Sequence, residues 1–139
     1  MATLTQVLFL AISIRTTPPD RLSPLFDAIR AVESHGRRNA RNGCHVGPYQ
    51  ISPAWWKDAR EAAGWPGPGS FESEASNKRM CELLMFAYWR RYCPVALARS
   101  DFKTLARVHN GGPGGAKKYS TLDYWRRVAR ELKRQEAAK

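Results

Sequence analysis

No apolar run in the chain approaches the ~20 residues that a bilayer-crossing helix requires; the longest, Val7 to Ile12 extended through Ser13 to Ile14, falls far short. A membrane-spanning helix is therefore not expected. Cysteine is scarce and odd in number: Cys44, Cys81 and Cys93 form no Cys-x-x-Cys pair, which excludes a disulfide scaffold. At most one bridge can form, and three reduced thiols are an equal reading. His35, His45 and His109 lack metal-ligand spacing with these cysteines, so no structural zinc is expected, and no metal or cofactor is implied. Strand-type alternation is almost absent, and no internal repeat occurs. The glycines from Gly111 to Gly115, followed by Lys117 and Lys118, have neither a preceding strand nor the Gly-x-x-x-x-Gly-Lys-Ser/Thr spacing, which argues against a nucleotide cradle.

What is present is enough for one ordinary domain. The 139 residues are 43% hydrophobic and 25% charged, near the globular average, so the chain is neither a disordered polycation nor low in complexity. The net charge of +11 is unevenly placed. Residues 1–86 carry ten Lys/Arg against eight Asp/Glu, whereas 87–139 carry thirteen against four, which predicts an anionic partner. Nucleic acid, anionic lipid and acidic wall polymers all qualify on charge alone.

Breakers and caps divide the chain. Residues 1–22 read as an N-terminal extension. Its apolar stretch has the length of the core of a secretory signal, but no Lys or Arg precedes it and no small-residue cleavage pattern stands before Arg15, so an added packing segment or a shifted start is preferred. Ser23-Pro24 reads as an N-cap and first-turn proline for a helix carrying Leu25, Ile29 and Val32 and stopped by Gly36. Ser52-Pro53 opens a second helix that ends at Gly64. A loop at 65–69 precedes a long central helix from about Glu74 to Tyr92, ended by Pro94. Ser100 caps a fourth helix to about His109. The last opens near Thr121 and carries Trp125, Val128 and Leu132 before a charged tail at 133–139. Residues 37–51 are the exception, with room for one or two short strands. The expectation is a mainly α domain over 23–132, with about five helices and a minimal β-hairpin or loop at 37–51.

Glu33 occupies an unusual place, on the border of the apolar stripe and in the last turn of its helix. Desolvation and the negative end of the helix dipole both favour a protonated carboxyl there, and a carboxylic acid that keeps its proton near neutrality is what protonates a leaving sugar oxygen. Position alone favours the blander reading, an acidic side chain that points into water.

The neighbouring segments change that balance. Ala31-Val32-Glu33-Ser34-His35-Gly36, Gly47-Pro48-Tyr49-Gln50-Ile51 and Ala106 to Gly114 resemble, in order and spacing, the three signature segments of the lysozyme-like superfamily. Soluble lytic transglycosylases carry similar segments. Invertebrate-type lysozymes look nearer, since they also have a Tyr-Trp-x-Asp stretch, similar to Trp55-Trp56-Lys57-Asp58, and a His-Asn-Gly-Gly-Pro loop before a Tyr-Trp helix, similar to His109 to Pro113 and Tyr124-Trp125. The resemblance covers about residues 24–130. It implies a glycosidase-type enzyme that cuts the β-1,4 bond between N-acetylmuramic acid and N-acetylglucosamine in peptidoglycan, with Glu33 as general acid. Ser34 and Gln50 would position the acid and the sugar, His109 and Asn110 would line the cleft, and Tyr49, Tyr119 and Tyr124 would wall the pyranose rings. Peptidoglycan glycan strands would be the partner of a monomer, with no nucleic acid, and the protein would be secreted, periplasmic or otherwise delivered to the wall.

Two departures accompany the resemblance. Invertebrate-type lysozymes are held by many disulfides that this chain lacks, so its stability must come from the apolar core. They also place an aspartate between their first two segments, whereas no Asp or Glu occurs here from Ser34 to Lys57. Three chemistries remain open. The first is transglycosylation, in which the substrate's N-acetyl group stabilises the cation and a sugar hydroxyl ends the reaction. The second, close behind, is hydrolysis with a water held by Asn39, Asn42 or His45, as goose-type lysozymes suggest. The third is a site that binds glycan without cutting it. Among the other residues, Trp55-Trp56 reads as core in preference to a sugar platform, and Asp58 as a structural cap or ion pair in preference to a second catalytic carboxylate. His45 reads as an ordinary loop residue. Arg37, Arg38 and Arg41 fit either substrate anions or a solvated loop, and Arg90-Arg91 and Arg126-Arg127 read as solvated surface that could draw the domain to an anionic wall. The rival class is a non-enzymatic binder, either of glycan or of nucleic acid through the basic half.

Overall fold

The computed structural model describes residues 17–139, so the apolar stretch discussed as a signal lies outside the described residues. A single 3-10 turn, Asp20–Leu22, leads directly into α1 (Ser23–Ser34). Leu22 is fully buried. Ser23 is already helical and does not cap; Leu22 stands at that position and makes no side-chain cap bond. The helix closes at His35, in the left-handed region at φ 54°, where the His35 and Gly36 amides donate to the Ala31 and Arg30 carbonyls.

Residues 37–51 form the minimal hairpin that the sequence allowed. β1 (Arg41–Asn42) pairs antiparallel with β2 (His45–Val46), and Val46 then bridges back to Ile51. Gly47 makes the following turn possible. Its φ is +84°, and a Cβ there would stand 1.8 Å from the Ala75 carbonyl oxygen, so only glycine lets this backbone press against its neighbour.

Ser52 caps α2 (Pro53–Ala63) by accepting from the Trp55 amide, and Gly64 ends it in the left-handed region. The helix expected over 74–92 is two helices, α3 (Phe71–Ala75) and α4 (Lys78–Tyr92). The physical reason is Asn77, whose side chain accepts from the Met80 amide and offers the chain a new start. Pro94 ends α4 as expected but also opens a short helix, α5 (Pro94–Ala98), since proline suits a first turn. Asp101, not Ser100, caps α6 (Phe102–Gly111) by accepting from the Thr104 amide. A 3-10 turn at Gly115–Lys117 precedes α7 (Thr121–Ala137), which continues as regular helix through most of the expected tail.

The central α4 packs against α2, and α7 packs against both α1 and α6. Trp89 is fully buried on α4, stacked on Phe26 at 5.6 Å, and donates its Nε1 hydrogen to the Leu105 carbonyl at 3.0 Å. All three cysteines are free, with Cys81 buried. A buried ion pair joins α2 to α3. Arg60 Nη1 lies 2.7 and 2.8 Å from the two Glu74 oxygens, Trp56 Nε1 adds a bond at 3.1 Å, and Arg60 Nη2 donates to the Pro66 and Gly67 carbonyls. This arrangement fixes the proline- and glycine-rich loop without a covalent link.

Candidate active site

Glu33 projects from the last turn of α1 into a cleft of about 610 Å³. Val32 and Glu33 come from α1, Asn42 and His45 from the hairpin, and Gln50 to Ser52 from the turn after it. Ala54, Trp55 and Asp58 come from α2, Tyr88 from α4, His109 and Asn110 from α6, and Arg127 from α7. Four of the expected site residues, Glu33, Gln50, His109 and Asn110, are thus brought together.

The local chemistry around Glu33 is unusual. Its side chain keeps only 18% of its surface exposed. Burial lifts its carboxyl from the ordinary 4.5 to about 7, while the Tyr124 hydroxyl and the Arg127 guanidinium hold back part of the rise. Tyr124 is buried beside Glu33, and its hydroxyl faces the carboxyl. His109 Nε2 lies 4.0 Å from Glu33 Oε1 and 3.3 Å from the Tyr49 carbonyl oxygen. Burial depresses the imidazole to about 4, so it is neutral at physiological pH and its contact with Glu33 is not an ion pair. With Nε2–H directed at the Tyr49 carbonyl, Nδ1 is left as a buried acceptor without a partner.

That orphan has company. Among the described residues, Trp55 Nε1 and His109 Nδ1 are buried side-chain polar atoms without a partner, and both belong to residues that line this one cleft. Buried polar atoms are rarely left unsatisfied without reason, and ligand sites are one such reason. Trp55 also stacks on Tyr88 with centroids 4.8 Å apart and meets the His109 ring edge-on at 5.6 Å.

Other expected contacts are placed differently. Ser34 is buried and its hydroxyl donates to the Arg30 and Pro48 carbonyls at 3.1 and 2.8 Å, tying α1 to the turn that carries Gln50 instead of meeting a sugar. Tyr49 is fully buried: its hydroxyl donates to Glu82 at 2.6 Å and accepts from Arg30 at 3.1 Å, so it cannot form a sugar wall. Tyr124 is also buried, beside the acid. Tyr119 is 84% exposed and lines no part of the cleft. In the other direction, Trp55 and Asp58 line the cleft although the sequence reading favoured core and cap. Their spacing of three places both on one face of α2, a signal the sequence did contain. Asp58 is nonetheless engaged: both its oxygens accept from the Tyr92 hydroxyl at 2.6–2.7 Å, and Arg91 approaches at 3.4 Å. Tyr88 and Arg127 carry no such signal, since only the packing of α4 and α7 brings them here.

No family model matches the chain. It is 34% identical over 103 residues to invertebrate-type lysozyme 2 of Caenorhabditis elegans, an alignment that covers 62% of this chain and 70% of that protein. The chain belongs to the invertebrate-type lysozyme family. The chain is also similar to lysozyme 1 of Crassostrea virginica, 36% identical over 62% of this chain and 48% of that protein, and to the lysozyme of Meretrix lusoria, 39% identical over 59% and 63%. The chain therefore spans about half to two thirds of the length of these curated relatives. The solved structure of inhibitor-bound Meretrix lusoria lysozyme superposes with a TM-score of 0.59 at 32% identity, over 81% of this chain and 88% of that one. This agrees with the mainly α, lysozyme-like fold. The segment 37–51, which holds no Asp or Glu, contributes Asn42, His45, Gln50 and Ile51 to the cleft, and none of them is acidic.

Proposed function

We propose that the chain cleaves the β-1,4 bond between N-acetylmuramic acid and N-acetylglucosamine in peptidoglycan, with Glu33 as its one general acid and base. The observation that carries this reading is a nearly buried carboxyl whose pKa lies about 7, set in a glycan-sized cleft beside a neutral histidine. A carboxyl of that pKa is substantially protonated near neutrality and is matched to proton donation.

Glu33 donates its proton to the glycosidic oxygen as the bond to the muramoyl anomeric carbon breaks. The positive charge that develops on that carbon is stabilised by the carbonyl of the substrate's own N-acetyl group, which removes the need for a second enzymic carboxylate. Glu33, now anionic, takes a proton from the C6 hydroxyl of the muramoyl residue as its oxygen closes on the anomeric carbon. A 1,6-anhydro sugar leaves and the acid is regenerated. A second reading is favoured by Asn42 and His45 on the cleft wall, two neutral groups that can hold a water for hydrolysis in place of the C6 hydroxyl. The substrate strands lie outside the cytoplasmic membrane, so the reading requires export or delivery to the wall; among the described residues no helix is long and apolar enough to cross a membrane.

Mass spectrometry of soluble fragments released from purified peptidoglycan by the wild type and by Glu33→Gln tests the proposal. Anhydro-muropeptides made only by the wild type are expected. Reducing-end products would transfer the reaction to the hydrolytic reading, and no release above the Glu33→Gln background by folded protein would overturn catalysis.

A further inference from the structure

A second groove, of about 680 Å³, lies between α1 and α7 and shares two lining residues with the catalytic cleft, Val32 and Arg127. The two hollows therefore meet at the side of Glu33. Arg30, Arg127 and Arg134 supply the groove's guanidinium groups, and their partners differ. Arg30 lies 2.9 Å from Asp27, and Arg134 lies 2.6 Å from Glu131. Among the described residues no carboxylate stands within salt-bridge distance of Arg127, which rests against the Tyr124 ring at 5.6 Å. It is exposed, and its charge is felt by Glu33. An exposed, unpaired guanidinium at the junction of two hollows presents its planar donor fork to an incoming carboxylate.

The chemistry of the substrate gives that carboxylate an identity. In peptidoglycan the muramoyl residue beside the scissile bond carries, on the lactyl ether at C3, a short peptide with free carboxylates. With that residue held at Glu33, its substituent must leave the cleft close to the acid. We propose that the α1–α7 groove receives this peptide stem and that Arg127 pairs with one of its carboxylates, which makes the chain selective for peptide-bearing glycan over bare strands or chitin. The inference rests on the proposed function, because the stem is positioned only by a muramoyl residue in the cleft.

The test measures binding by calorimetry in a Glu33→Gln background, which prevents turnover and removes any effect of Arg127 on the acid's proton. Three tetrasaccharides serve as probes: one with peptide stems, the same strand stripped to its lactyl carboxylates, and chitotetraose. A charge-assisted pair of this kind predicts that the peptide-bearing strand binds about tenfold more tightly than the stripped one. Adding Arg127→Gln should erase that difference, while Arg127→Lys should keep part of it. Equal affinity for peptide-bearing and stripped strands overturns the inference and leaves the proposed function standing. An equal loss on both strands in Arg127→Gln also overturns it, since the arginine would then read the lactyl group. Failure of all three probes to bind defeats the proposed function and this inference together.

Discussion

Replacing Glu33 by Gln should stabilise the protein at neutral and alkaline pH. Burial raises the carboxyl of Glu33 from 4.5 to about 7, which means that the folded protein binds this proton more tightly than the unfolded chain. The sign follows directly. Between those two values the folded state holds more protons, so the contribution of Glu33 to stability is fully present below pH 4.5 and is lost as pH rises through about 7. At ~1.4 kcal/mol per pKa unit, the loss is about 3 kcal/mol once the group is ionised. Glutamine is a neutral isostere and suffers no such loss. Urea titrations of both proteins at pH 4 and pH 8 should therefore show a gap near zero in acid and of about 3 kcal/mol in favour of Glu33→Gln in base, or roughly 10 °C in melting temperature. A gap of the same size at both pH values, or a variant less stable than the wild type at pH 8, would refute the reasoning, because the carboxyl would then not be held above its ordinary pKa.

Three further outcomes follow from the same geometry. The kcat/KM for peptidoglycan should fall tenfold per pH unit above about 7, as Glu33 loses its proton, without the acid limb that a second catalytic carboxylate would impose; a symmetric bell in the pH–rate profile would contradict single-acid catalysis. Glu74→Gln leaves the buried Arg60 charge without its anion and should cost ~3–5 kcal/mol, measured by urea unfolding, whereas breaking the exposed Arg126–Asp123 pair with Asp123→Asn should cost less than ~1 kcal/mol. Gly47→Ala places a Cβ into the Ala75 carbonyl at a positive φ and should destabilise by more than ~3 kcal/mol, with loss of the folded circular-dichroism signal on mild heating.

The sequence made the helices legible where punctuation and chemistry agreed. Ser52-Pro53 and Gly64 delimit α2 as the residues demand, and Pro94 stops α4. It misled where one side chain outweighs a pattern: Asn77 breaks an apolar period that reads as continuous, and Asp101 takes the cap from its neighbour Ser100. At the site, the position of Glu33 on its helix favoured a solvated side chain, and only the neighbouring segments at 47–51 and 106–114 singled it out; the structure buries it. The tyrosines were not legible. Stacking partners and core residues have the same composition, and only the packed structure shows Tyr49 bonded to Glu82 inside the protein while Tyr88 stands on the cleft wall. Arg127 was read as solvated surface, which is true of its exposure, but its neighbours come from α1, a segment far away in sequence.

The placement of Trp55 means that the protein carries its own optical reporter. Its indole borders the cleft, stacks on Tyr88 and leaves its Nε1 hydrogen unclaimed, while the other four tryptophans line no part of that hollow. A sugar that accepts this hydrogen changes the polarity around one fluorophore against a constant background. Occupancy of the cleft is thereby readable from intrinsic emission, in real time and without a label, and Trp55→Phe identifies the source of the signal.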